Sequence, residues 1–341
     1  TAAGIFSQVG ITSQEIPITV LLLIGFWLFV RFVQDTSRRW LAYVSALIYG
    51  AAVGLKLTAA PFALALFAAV LEPAFCSDKK YRIIVGFMIS GVVGFLLTDG
   101  YFMWKLWQEW HNPFFPYMND LFKSPYYSIQ QLTEWRFYPR SLGQLLFYPF
   151  YWLLHPTTLV TEEPLRDIRL GLGYIGVLWG SMLLIRRKPL VVSRPLFISL
   201  ILFTVVGYLL WMFEFSILRY AGMLEIAACM VVCIVLASVW KGNAAIAVSV
   251  VFLMALKLTT VYPDWSHTVF NKSVLKLNPP VKVEDNALVF LMQHPTSYLT
   301  TVLNQDLIWV LWLILDIQIT KLVWLSLIKK LKKKTSTLMN Q

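Results

Sequence analysis

Between Ile16 and Val33 the chain reads IPITVLLLIGFWLFVRFV, with no charge before Arg31, and segments of this kind recur along its length. A helix needs roughly 20 mostly apolar residues to cross about 30 Å of hydrocarbon, so this recurrence constrains the fold more than any other feature. Further apolar runs lie near Leu41–Phe75, Ile83–Thr98, a stretch ending at Ile185, Pro195–Phe213, Tyr220–Trp240, Ala244–Val261 and Leu307–Ile328. The run from Leu41 is long enough for two passes. It is interrupted at GLKLT, Gly54–Thr58, which predicts a helical hairpin bent near Lys56. With 58% hydrophobic and only 14% charged residues, the chain lies far from soluble domains, where about a quarter of residues are charged. The mean hydropathy of +0.66 agrees. The predicted class is an all-α polytopic membrane protein of about 8–9 membrane helices, with outward-facing interfacial helices and a small α/β-like outward segment near the C-terminus.

The formal net charge of +11 raises the possibility of nucleic-acid binding, but its distribution argues against that partner. The strong clusters, Arg38/Arg39, Lys79–Arg82, Arg186–Lys188 and Lys329–Lys334, sit in short gaps beside apolar runs, where membrane topology places basic residues. Alternating the spans from an inward end of the first run puts all four clusters and Lys241 on the cytoplasmic side. The two longest polar segments, about 100–167 and 262–305, then face outward. This organisation reads as a membrane domain over 1–261 with an interfacial loop at 100–167, a small extracytoplasmic segment at 262–305, and a last membrane helix with a basic cytoplasmic tail at 306–341. No signal peptide is visible and the chain starts at Thr1, which reads as a cut or internal N-terminus.

Within GYFMWKLWQEWHNPFFPYMND, Gly100–Asp120, residues Phe102, Met103, Leu106, Trp107 and Trp110 recur on one helical face, and Lys105, Gln108, Glu109 and Asn112 on the other. Trp and Tyr favour the headgroup level, so this pattern predicts a short helix, about Tyr101–His111, lying flat at the outer interface until Pro113 and Pro116 end it. LLFYPFYWLL, Leu145–Leu154, is too short to span and contains Pro149, and reads as a second interfacial or re-entrant segment. Both serve equally as membrane anchors or as the roof of a cavity. Cys229 and Cys233 share a helix face as packing residues, Cys76 stands apart, and His111, His155, His267 and His294 have no metal-ligand spacing. NKS at Asn271 matches a glycosylation sequon, a pattern common by chance.

Four phrases carry a resemblance. The hairpin GAAVGLKLTAAPFAL (Gly50–Leu64), NPFFPYMNDLFKSPYY (Asn112–Tyr127), RFYP (Arg136–Pro139) and SILRYAGMLE (Ser216–Glu225), together with the outward loop, resemble bacterial polytopic glycosyltransferases of the GT-C superfamily. The resemblance covers about Thr12 to Asn304, and Val283–Asn304 resembles strands of a small outward domain that some such enzymes carry. It implies a polyprenyl-phosphate-linked sugar as donor and partner, membrane lipids as surroundings, an extracytoplasmic acceptor in cell-envelope glycan assembly, and a bacterial plasma-membrane location. The family's catalytic acid normally lies in the first outward loop, which on this reading falls upstream of Thr1.

Inverting transfer from a lipid phosphate needs a carboxylate base for the acceptor's proton and cations for the leaving phosphate. Glu15 at the mouth of the first span, Asp99 at the end of the Ile83 span, and Asp120 after the NPFFP turn are the candidate carboxylates. Arg219 in ILRY is a candidate phosphate ligand through its guanidinium fork, or it snorkels to headgroups. Lys56 is a second candidate because an intramembrane ionisable group reads as functional, unless the bend lets it too reach the surface. Glu225, placed on the same helix as Arg219, needs a polar partner. Asp99, Asn119 and Asp120 suit a divalent cation or an acceptor, and helix or turn capping explains them as well; the cofactor is unknown, with a divalent cation as the candidate. A transporter or lipid flippase would also be basic and polytopic, but no internal repeat of the kind such folds carry is visible. A non-catalytic fragment of the GT-C fold is the third reading.

Overall fold

A computed structural model describes residues 14–129 and 135–262, with Gly4, Gln8 and Val9 before them and two four-residue strands after them. These residues divide between two compact units, one within Thr1–Trp104 and Thr133–His267, the other within Lys105–Leu132 and Thr268–Gln341. The first unit is a helical bundle. Helix α1 (Glu15–Gln34) carries an acid in its first turn and Arg31 in its last, each favourable to the helix dipole. It stops at an Asp35–Ser37 turn in which the Ser37 hydroxyl donates to Asp35 Oδ1 at 2.6 Å and Arg38 Nε meets Oδ2 at 2.9 Å. The Ser37 hydrogen bond, followed by the nearby Arg38 charge, holds the exposed Asp35 carboxyl below its usual range.

Helix α2 (Arg39–Leu55) ends at Lys56, whose backbone is extended, and a 3-10 turn leads into α3 (Ala60–Phe75), with Pro61 in its first turn. The hairpin expected at Lys56 is therefore present. Helix α4 (Lys80–Trp110) is followed by the short α5 (Asn119–Phe122) and α6 (Leu142–Phe147), the latter running into a 3-10 turn over Tyr148–Phe150. Then come α7 (Arg169–Ile185), α8 (Arg194–Glu214), α9 (Gly222–Val239) and α10 (Gly242–Thr259). By length and composition, α1, α3 with its leading turn, α4, α8, α9 and α10 can each cross a membrane, and α2 and α7 are shorter apolar helices of 17 residues. Exposed Leu97, Leu178, Val251, Leu253 and Leu258 give the bundle an apolar outside suited to lipid. The chain is a multi-pass membrane protein.

Packing inside the bundle relies on small residues, which let helix backbones approach where no hydrophobic force drives them together. A Cβ at Gly50 of α2 would run into the Gly91 carbonyl of α4, and one at Gly94 into the carbonyl of Leu47. Thr98 Oγ1 donates across this contact to the Ala51 carbonyl at 3.2 Å. Helices α7 and α9 meet in the same way, with Gly173 and Gly176 against Ala228 and Val232. Elsewhere Ser45 bonds the Gly25 carbonyl at 2.7 Å, Ser199 that of Ala69 at 3.0 Å, and Phe26 packs on Phe203.

The up-and-down order sorts the ends. Tyr43 donates to the Arg82 carbonyl, Arg194 to that of Leu184, and the Val191 amide to Ser238, so the gaps holding Arg38/Arg39, Lys79–Arg82, Arg186–Lys188 and Lys241 share one end of the bundle. The other end gathers the start of α1, the Lys56 bend, the start of α7 and the α8–α9 connection.

Helix α4 corrects the sequence expectation. The span read as ending at Thr98 and the separate flat helix at Tyr101–His111 are one unbroken helix of 31 residues, about 46 Å at about 1.5 Å per residue. Nothing in it breaks a helix: Gly100 alone costs about 1 kcal/mol relative to Ala, and the first proline is Pro113. The helix ends where His111 takes a left-handed conformation and the Asn112 side chain accepts from the Phe114 amide at 2.9 Å while donating to the Tyr117 carbonyl at 2.8 Å.

In the second unit Trp110 stacks on Phe115 and meets Tyr126 edge-on. Strands β1 (Leu288–Leu291) and β2 (Ile308–Leu311) pair in parallel, Leu288 opposite Ile308. Residues 308–311, taken above as the start of a last membrane helix, are in this strand. Apart from Tyr262 and the two strands, the 262–305 and 306–341 segments, including Asn271, His267 and His294, lie outside the described residues.

Candidate functional site

Three side chains singled out in separate parts of the sequence meet at one end of the first unit. Glu15 begins α1, Lys56 sits at the α2–α3 bend, and Arg219 lies in a 3-10 turn over Leu218–Tyr220. They line one small pocket with Thr19, Thr58, Phe62 and Tyr220. Lys56 is not alone in its hairpin: its ammonium forms an ion pair with Glu15 Oε1, and the two side chains are 22% and 7% exposed. It also lies 5.2 Å from the centre of the Tyr220 ring, within cation–π range.

Arg219 is held by a connection built for position. Trp211 Nε1 donates to the Ile217 carbonyl at 2.8 Å, and the Leu218 amide to the Val160 carbonyl at 2.7 Å. The guanidinium then uses Nη1 for Glu162 Oε1 at 3.1 Å and Nη2 for the Tyr220 hydroxyl at 3.0 Å. Its Nε is buried with no acceptor among the described residues. Burial opposes the Arg219 charge, but the neighbouring Tyr220 and Glu162 outweigh it and the group is raised above its ordinary value. Burial likewise raises the Tyr220 phenol, against the pull of Arg219.

A second polar cluster lies at the same end. Asp167 Oδ1 accepts from the Arg169 amide at 3.1 Å and from Arg169 Nη1 at 2.7 Å, and Arg169 Nη1 also reaches Thr260 Oγ1 at 3.3 Å. Glu225, in the first turn of α9, accepts from the Gly4 amide at 3.1 Å and faces both Asp167 and Arg169. All three are almost wholly buried, at 1%, 4% and 0% exposure. Glu225 thus has the polar partners its position demands. It does not share a helix with Arg219, because the chain turns at Ala221 before α9 begins.

Beside these clusters lies a cavity of about 330 Å³ among α6, α7, α8 and α9. Its walls are apolar, Leu145, Pro149, Val177, Leu209 and Met212 among them, apart from Thr204, Tyr174 and Tyr208. The Tyr208 hydroxyl is buried without a partner among the described residues. Phe62 of the polar pocket packs toward Gly207, between the cavity residues Thr204 and Tyr208.

The other candidates have surroundings of their own. Asp99 lies mid-helix in α4 beside Gly54, so it caps no helix. Asn119 is buried and spent on its own loop, donating to the Tyr127 carbonyl at 2.9 Å and accepting from the Ser124 amide at 2.8 Å. Asp120 is exposed in the four-residue α5. Among the described residues no group of three or more His, Cys, Asp or Glu side chains is gathered for a metal. Glu162, Asp167 and Arg169 escaped the sequence reading. The signal available was RDIR, Arg166–Arg169, an ionisable run directly before an apolar stretch. Comparison with known proteins finds no match to this chain among family models, curated proteins or solved structures.

Proposed function

We propose that this protein is a membrane glycosyltransferase of the GT-C type, taking a sugar from a polyprenyl-phosphate donor to an extracytoplasmic acceptor, with Glu15, Lys56 and Arg219 as its centre. The observation that carries the reading is their convergence: two cations and a carboxylate, far apart in sequence, meet beside an apolar cavity among membrane helices. That combination suits an amphiphile with an anionic head, and Arg219 Nε, without an acceptor among the described residues, leaves half of a bidentate fork open to an oxyanion. The basic clusters at the opposite end favour an orientation with this site outside the cytoplasm of a bacterial plasma membrane, across about eight helices. In the reaction, the acceptor oxygen bonds to the anomeric carbon as that carbon's bond to the phosphate oxygen breaks. The acceptor's proton goes to Glu15, and Lys56 and Arg219 take up the charge of the departing phosphate.

Binding in nanodiscs tests the assignment. Arg219→Ala is expected to weaken binding of a prenyl phosphate about 10- to 100-fold, the worth of hydrogen bonds to a charged group, and Arg219→Lys to restore part of it, since an ammonium lacks the fork. Binding of the uncharged prenol should not change. Equal prenyl-phosphate binding by wild type and a folded Arg219→Ala protein would reduce Arg219 to an anchor. Binding without sugar transfer from any prenyl-phosphate sugar would favour the lipid-flippase reading.

A further inference from the structure

The pocket that brings Glu15, Lys56 and Arg219 together has about 10 Å³ of free space, the room of roughly one water molecule. A phosphate does not fit beside the side chains as they stand. Both cations are already matched, Lys56 by Glu15 and Arg219 by Glu162. The two pairs differ in how firmly they are held. Glu15 is 7% exposed at the start of a membrane helix, whereas Glu162 is 28% exposed on the connection between α6 and α7.

That connection is pinned on both sides of Glu162. Thr157 and Leu165 exchange backbone hydrogen bonds at 2.9 and 3.0 Å, and the Val160 carbonyl accepts from the Leu218 amide. Between them Glu162 Oε1 meets Arg219 Nη1, while Glu162 Oε2 is buried with no donor and Arg219 Nε with no acceptor among the described residues. A carboxylate settled on a guanidinium fork would use both oxygens and two donors. This one uses half of each.

We propose that Glu162 is a displaceable plug: its carboxylate stands where a phosphate oxygen binds on Arg219, and an entering phosphate monoester or diester turns it out and takes Nη1 and the second hydrogen of Nη2 together. The proposal rests on Arg219 being the phosphate ligand. Exchange breaks one ion pair of modest strength, because both partners are about a third exposed, and forms a bidentate contact in its place. Rotation of the Glu162 side chain is enough, and the pinned backbone returns it when the anion leaves. The plug also keeps the guanidinium from binding anions that lack a lipid chain to hold them at the cavity.

Glu162→Gln removes the competing charge and keeps the side chain's size, so in nanodiscs it should tighten prenyl-phosphate binding by about fivefold, the upper range for such a pair. Inorganic phosphate, measured as a separate arm, should go from weak to detectable binding. Glu163→Gln, the same charge change one residue along, should leave prenyl-phosphate affinity within about twofold. Unchanged or weaker binding by Glu162→Gln, while Arg219→Ala still loses its affinity, would overturn the plug and leave the phosphate assignment standing. An equal gain from Glu163→Gln would overturn it too, by showing a general field effect. If Arg219→Ala binds as wild type does, the underlying assignment itself has failed.

Discussion

Arg169→Met should be among the most destabilising single changes in the bundle, at about 3–5 kcal/mol, the cost of removing one partner from a buried ion pair. Methionine preserves much of the volume, so the loss isolates charge. Asp167 and Glu225 both face Arg169, and the three are 1%, 0% and 4% exposed. Without the guanidinium, two carboxyl groups would confront each other with no cation, and the Thr260 contact would go as well. Unfolding in detergent, followed by helical signal against denaturant, should show the loss. The triple variant Arg169→Met, Asp167→Asn, Glu225→Gln should recover most of it, because the amides remove the stranded charges. A single variant as stable as wild type would mean that water reaches this cluster freely.

Lys56→Met should cost about 2–3 kcal/mol, less than a fully buried pair because Lys56 is 22% exposed. It removes the cation from Glu15, which is 7% exposed at the first turn of α1. Glu15→Gln alone should cost less, since the lysine can turn toward water. The double variant should be more stable than the sum of the two losses implies, by about 1–2 kcal/mol of coupling. Strict additivity in this cycle would show that Glu15 and Lys56 do not depend on each other, and the hairpin bend would then owe nothing to their pair.

The bend itself was legible because a lone lysine and Gly54 interrupt an otherwise apolar run, and a chain that must return through the membrane turns where the charge can reach water. Lys56's partner was not legible, because Glu15 lies 41 residues away and no local spacing records a contact between helices. The same holds for Glu162, which reaches Arg219 only because the connection before α7 folds back under the α8–α9 turn. Helix α4 misled for a different reason. The polar pair Asp99–Gly100 looks like a boundary when hydropathy is read as a span, yet helix formation depends on backbone compatibility, and Gly100 weakens the helix without breaking it as a proline would. Asn119, read as a ligand candidate, shows how an amide can satisfy a loop through bonds to Ser124 and Tyr127 that no periodicity reveals.

The central claim is that the charged cluster holds a lipid's phosphate while the cavity holds the start of its chain. Photo-crosslinking tests it most directly, using a short prenyl phosphate that carries a diazirine within its first isoprene units, in nanodiscs of the wild-type protein. The account predicts label on the cavity walls, in peptides covering Leu145–Pro149 and Thr204–Phe213, competed by unlabelled prenyl phosphate but not by prenol, and lost in Arg219→Ala. Label spread over the lipid-facing sides of α4 and α10, indifferent to phosphate competitor and to Arg219, would contradict it.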